Sequence, residues 1–316
     1  MKYSKEVLKR FFKDFNIPID IYEEPYCSYL VSLYDEYYGL SDKFKMLDKE
    51  IAKFKNENDF LEYQYQIRNE IIEKTKEQPV YYNDYLETNM DMFKVTNNYS
   101  EKDIYKETNV GKTFLSVDLK KANFQALKFF NRGLVFGADT YEEYISKFTD
   151  SEYFKSSKKL RQIIFGNMNP KRQVKIEKYI MNKILILLTT NILHEESIVS
   201  FSNDEIVFDY NTSFDKTWND DCINAWHVSH ANLIKNICKN FLGIDVRVEI
   251  FKLEQIENKP YYVKEFIVGD KKYELKCVPK IYFPQVFKKY NSLEVNEKDL
   301  MFWFEGQLCT FMKPLF

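Results

Sequence analysis

The chain has 316 residues, 45% of them apolar, and a formal net charge of −2. That apolar content excludes a disordered chain, and the near-neutral balance excludes a protein that binds nucleic acid through overall charge. Only 8 Gly and 8 Pro occur, so a Gly-rich phosphate loop or a long flexible linker is not expected. The opening stretch MKYSKEVLKRFF has no long apolar core and does not resemble a signal peptide. Residues 1–77 are expected to be helical, with Ser41-Asp42 capping one helix and Pro79 closing the region. Residues 80–110 are polar and rich in Tyr and Asn, as in loops. A strand is predicted over Thr113–Leu119, followed by a helix over Ala122–Phe130. Helices are predicted over 140–148, over 151–165 and from Pro170 to about Leu193.

A hairpin is predicted around Asp204, then a helix over 220–241. The remainder is expected to be β-rich, with a tight turn at Gly269-Asp270 and a short hairpin in FWFEGQLCTFMK. The fold class is therefore α/β, of the α+β kind. The expected division is a helical region 1–110, a core 111–243 and a β-rich region 244–316. No apolar run is long enough to cross a membrane. Five dispersed cysteines with no CxxC pair indicate reduced thiols in the cytoplasm.

Three segments carry chemistry. Asp118 sits where the first strand turns into a helix, a place for a metal-binding carboxylate or for a plain helix cap. Between Lys155 and Lys183 there are nine Lys/Arg and one acid, Glu177, a local net of +8. Within that run Lys158, Arg161 and Phe165 share one helical face, which suits a triphosphate held by cations beneath a base stacked on a ring. An ordinary amphipathic, solvated helix is the alternative. The third segment is SIVSFSNDEIVFDY, Ser197–Tyr210. Its acids interrupt apolar strand residues, although Asp is disfavoured in strands and a buried carboxylate is costly without a partner or a metal. If this hairpin lies beside the Asp118 strand, Asp118 and Asp204 converge and can hold Mg²⁺. Otherwise the turn is a surface loop that carries acids.

Other candidates are weaker. His227 and His230 stand at i, i+3, but the nearby cysteine spacing does not fit a zinc finger, so they read as core or surface histidines. Gly111-Lys112-Thr113 lacks the upstream glycine of a P-loop. His194–Ser197, HEES, is not a zinc-protease motif.

Taken together and in order, the three segments resemble motifs A, B and C of the family A (Pol I-like) nucleic-acid polymerases. Ser202–Asp209 is similar to the family's V-H-D-E-L-V-F-E stretch, with Asp204 at the metal-binding Asp, Glu205 at the next acid and Asn203 in place of His. Asp118 matches the motif A Asp. Ala122–Gln125 resembles I-E-L-R, with Asn123 where the DNA polymerases carry a Glu that disfavours ribose. In R-x-x-x-K-x-x-x-F-G, Lys158 falls within a residue or so of the Arg. Arg161 matches the Lys, Phe165-Gly166 match Phe-Gly, and Asn169 replaces a Tyr. The match spans about 60 residues, and Arg161 precedes Asp204 by only 43, fewer than in full-length enzymes.

The resemblance implies a palm with reduced fingers and a nucleotidyltransferase reaction on a nucleic-acid 3′-hydroxyl. It implies Asp118 and Asp204 as Mg²⁺ or Mn²⁺ ligands supported by Glu205. Lys158, Arg161, Phe165, Asn123 and Asn169 would contact the nucleoside triphosphate, and Lys171, Arg172 and Lys175 the template or primer. The expected location is the cytoplasm, that of a host for a phage or viral chain. The rival readings are a catalytically inactive binding or assembly protein on the same scaffold and a template-independent tailing enzyme.

Overall fold

The computed structural model describes residues 2–211 and 219–316. In chain order the helices and strands are α1 (Lys5–Asp14), α2 (Tyr26–Tyr38), α3 (Leu40–Ile51), α4 (Glu57–Lys76), α5 (Pro79–Glu87), β1 (Thr113–Leu119), α6 (Ala122–Phe130), α7 (Tyr141–Ser146), α8 (Glu152–Ser156), α9 (Lys158–Gly166) and α10 (Pro170–Asn191). They continue as β2 (Ile198–Phe201), β3 (Glu205–Asp209), α11 (Asp220–Leu242), β4 (Val246–Gln255), β5 (Tyr262–Val268), β6 (Tyr273–Lys276), α12 (Phe283–Tyr290), β7 (Met301–Phe304) and β8 (Gln307–Thr310). No helix of the described residues is long and apolar enough to cross a membrane.

The chain forms two compact units, and both are discontinuous in sequence. Unit 1 takes residues 1–86, 132–169 and 279–316; unit 2 takes 87–131 and 170–278. The expected boundaries near 110 and 243 do not coincide with these. The second falls inside one sheet, because β4–β6 extend the sheet that begins with β1.

Unit 1 is helical, with the β7–β8 hairpin added. α1 is capped by Ser4, whose Oγ accepts from Val7 N, and it buries Val7, Leu8, Phe11 and Phe12. α4 is capped by Asn56 and buries Phe60, Ile67 and Ile71. Pro79 does not end the helical region; it opens α5, as a proline without an N–H can at a helix start. The helix expected over 151–165 is broken at Ser157. This fully buried residue has extended backbone and caps α9, its Oγ accepting from Leu160 N at 3.0 Å. The same hydroxyl donates to Asp14 at 2.8 Å. Asp14, fully buried, also accepts from Gln64, Tyr153 and Arg10. The buried carboxylate is tolerated there because the Arg10 guanidinium pairs with it and donors from α4, α8 and the α9 cap complete its surroundings.

Unit 2 is built on a six-stranded antiparallel sheet in the order β2-β3-β1-β4-β5-β6. β3 lies between β2 and β1, and β1 between β3 and β4, so the first four strands make a β-α-β-β-α-β arrangement. α10 packs on α6, and α11 packs across β4 and β5. Leu115, Val117, Ile206, Phe208, Val248 and Ile250 are all buried and alternate onto one face of the sheet. Phe114, Val207, Phe251, Leu253 and Tyr262 alternate onto the other, where Ile104 joins them in an apolar cluster.

Candidate functional site

The apolar cluster covers only one end of its sheet face. Toward the C-terminal end of β1 the same face turns polar. Cross-strand register sets Asp118 of β1 opposite Glu205 of β3 and Arg247 of β4, and sets Ser116 opposite Glu249. Side chains directly opposite each other in an antiparallel pair project to the same side. The hairpin at Asp204 therefore does lie beside the Asp118 strand. Leu119 N donates to Asp204 O at 2.7 Å, which fastens the β2–β3 turn to the end of β1. That turn is organised by Ser202, whose Oγ accepts from Asp204 N at 3.3 Å and from Glu205 N at 3.0 Å. The carboxylate of Asp204 is exposed.

The charges on this face are paired. Arg247 stands 3.1 Å from Asp118 and 3.3 Å from Glu249. Ser116 Oγ donates to Glu205. Lys264, itself buried, lies 3.8 Å from both Glu205 and Glu249. Burial pushes the Asp118 carboxyl up to about 7; Arg247 opposes the shift, while Glu205, Asp204 and Glu249 add to it. Burial also raises Glu249, against the pull of Arg247 and Lys264.

Behind the turn stands a second acid. Glu177 of α10 is buried and is pushed up to about 7 by burial and by the charge of Asp204, with a hydrogen bond from Asn123 acting the other way. Asn123 of α6 donates at 3.1 Å to Glu177 and at 3.1 Å to Gln173. The turn from β1 into α6 passes through Lys121 at φ 52°, a conformation uncommon for a residue with a Cβ, and this reverses the chain within three residues of Asp118. Asp204 thus acts through space on both Asp118 and Glu177.

The structure gathers Asp118, Asp204, Glu205 and Asn123 in unit 2 and adds Glu177, Gln173, Arg247, Glu249 and Lys264, which sequence reasoning did not single out. Glu177 did carry a signal, as the single acid in a run of nine cations. Arg247 and Glu249 carried only the alternation of an ordinary strand.

Lys158, Arg161, Phe165 and Asn169 belong to unit 1. Lys158 is exposed at the first position of α9. Arg161 is half-buried, its guanidinium 5.4 Å from the Tyr141 ring centre, and burial lowers its pKa. Phe165 is fully buried against Tyr141 and Tyr144 and offers no ring face to a base, so the expected stacking role is not met. It turns inward because α7 covers the last turn of so short a helix. Asn169 has φ 55° between α9 and α10, and its carbonyl accepts from Tyr85. In unit 2, Lys171 and Lys175 are exposed, whereas Arg172 donates to the carbonyl of Thr88, a backbone contact that the basic-run reading did not anticipate.

Among the described residues no group of three or more His, Cys, Asp or Glu side chains is arranged to hold a metal ion. His227 is buried, and His230 shares a hydrogen bond with the Tyr210 hydroxyl beside Trp226. All five cysteines are free. Comparison with family models, with curated proteins and with solved structures found no match to this chain.

Proposed function

We propose that unit 2 catalyses nucleotidyl transfer: a nucleic-acid 3′-oxygen attacks the α-phosphorus of a nucleoside triphosphate, and the bond to pyrophosphate breaks. The observation that carries this reading is the fastening of the Asp204 turn to the end of the Asp118 strand, which sets two carboxylates from distant segments at one end of a sheet. The resemblance implies Mg²⁺ or Mn²⁺, and the donor set fits a hard cation. Asp118 is raised partly by Glu205 and Asp204, and a divalent cation relieves that crowding of like charge. Two protein carboxylates suffice for Mg²⁺, which commonly takes its remaining ligands from water and substrate phosphates. Bound there, the cation would favour the ionised 3′-hydroxyl and stabilise the departing pyrophosphate.

The chain's own contribution is positioning. Arg247 orients Asp118, Ser116 and Lys264 hold Glu205, and Asn123 is fixed to α10 by its two donated bonds. With its amide committed in this way, Asn123 leaves a less crowded place than the long acid it replaces in the resemblance. Acceptance of ribonucleotides at least comparable to deoxyribonucleotides follows as part of the proposal. Free cysteines and a need for triphosphates suit a cytoplasmic setting.

The test is incorporation of each labelled NTP and dNTP set, with and without primer–template, in Mg²⁺ or Mn²⁺. Asp118→Asn and Asp204→Asn should each reduce incorporation at least 100-fold while leaving the thermal transition cooperative. Glu205→Gln should cost less. Full activity in either Asp variant would end this assignment.

A second reading is favoured by one observation. Arg247 already neutralises Asp118 at 3.1 Å, as in a scaffold that binds without catalysing. No incorporation under any condition, with nucleic-acid binding retained, would select it. Incorporation without template would instead identify a tailing enzyme.

A further inference from the structure

Opposite the Gln173–Glu177 side of α10, Lys171, Lys175 and Lys178 recur at i, i+4 and i+7 and form one stripe. Lys175 and Lys178 border a cavity of about 250 Å³ whose other walls come from the segment before β1, including Met90, Asp91, Phe93 and Lys94. All these residues belong to unit 2. Met90 and Phe93 are nearly buried and give the cavity an apolar floor, with the Phe93 ring fixed edge-on by Tyr179 at 5.4 Å. Three cations and one acid are among its lining residues, and Lys94 and Lys175 are exposed. Lys178 lies 5.9 Å from the Phe201 ring centre. None of the three lysines makes an ion pair among the described residues. Unpaired cations held over an apolar recess suit a ligand that is anionic along one edge and planar and apolar along the other.

We propose that this cavity binds one nucleotide unit of a single-stranded nucleic acid, with flanking phosphates on Lys94, Lys175 and Lys178 and the base against Met90 and Phe93. Successive lysines of the stripe are about 6 Å and about 4.5 Å apart along the helix axis, close enough for neighbouring phosphates of one flexible strand to reach them in turn. An acidic peptide would meet the cations equally well but has no planar apolar group for the recess. The choice of a strand over a free nucleotide rests on the nucleotidyl-transfer reading, since the strand is that reaction's second substrate.

The experiment is fluorescence anisotropy of the full chain with a 5′-labelled oligothymidylate, across a salt series and without divalent cation. The triple variant Lys94→Ala, Lys175→Ala, Lys178→Ala should bind at least 10-fold more weakly. Its log–log salt slope should be shallower by about 2, since each single-strand phosphate neutralised contributes about 0.7. Val95→Phe, which fills the recess, should weaken binding with the slope unchanged. Unlabelled oligothymidylate should compete far better than thymidine monophosphate or polyglutamate. Unchanged affinity and slope in the triple variant would overturn the proposal, as would equal competition by polyglutamate. Efficient competition by the mononucleotide would overturn the strand and leave a free-nucleotide site. If the wild type incorporates nothing yet loses binding in the triple variant, this site stands and the nucleotidyl-transfer reading falls.

Discussion

Glu177 is 5% exposed, accepts a bond from Asn123 and stands in the field of Asp204. Its carboxyl, pushed up to about 7, holds a proton more tightly in the folded chain than in the unfolded one. The sign follows from linkage: the folded state loses stability relative to the unfolded one as pH rises from the ordinary carboxylate range through about 7. At pH 8 the ionised group opposes folding, and at pH 5 it scarcely does. Glu177→Gln keeps an oxygen for Asn123 and removes the charge. It should raise the melting temperature at pH 8 by a few degrees and change it little at pH 5. Equal shifts at both pH values would mean that packing, and not charge, governs this position. Asp118 is raised by burial too, but Arg247 pairs with it directly, whereas the partner of Glu177 among the described residues is the Asn123 amide.

The short helix α9 shows how an element can be fixed from outside itself. Its nine residues are too few to be stable alone. Ser157 satisfies one of its free N–H groups and at once supplies one of the donors to Asp14. Ser157→Ala removes a cap and leaves a buried carboxylate short of a donor, a loss of about 2–4 kcal/mol. A urea titration would register this as a lower midpoint at unchanged slope. A loss under about 0.5 kcal/mol would mean that water replaces the hydroxyl. The β1–β3 pairing is fixed differently, by a ladder from Phe114 to Asp118 and by the bond from Leu119 N to the Asp204 turn. The acids of that turn therefore sit on a rigid support and not on a free loop.

At the scale of the molecule, both units draw on distant stretches of chain, so contiguous fragments should not fold. Residues 111–243 alone would lack β4–β6, leaving β1 as an exposed edge, and would carry 132–169 without α1–α4. That fragment is expected to show no cooperative thermal transition by circular dichroism, in contrast to the full chain. A sharp transition would mean that the region is an independent domain. The sequence by itself determined the elements whose signals are local: β1 and α6, the hairpin around Asp204, the helix opened by Pro170 and the terminal hairpin. Periodicity, capping residues and turn residues act within a few positions and can be read without knowing neighbours. It also singled out Asp118 and Asp204, because an acid among strand residues is costly unless something requires it. Only the tertiary structure decided which strands adjoin, and with that which charges meet. Arg247 and Glu249 look like the outward residues of any alternating strand until β4 pairs with β1 and brings them to Asp118 and Ser116. Phe165 looked available on the face of α9 until α7 covered it. Glu177 was one acid in a basic run until α10 lay against α6, whose Asn123 reaches it. Burial and pairing are properties of surfaces brought together by non-local contacts, and no local pattern encodes which surfaces those will be.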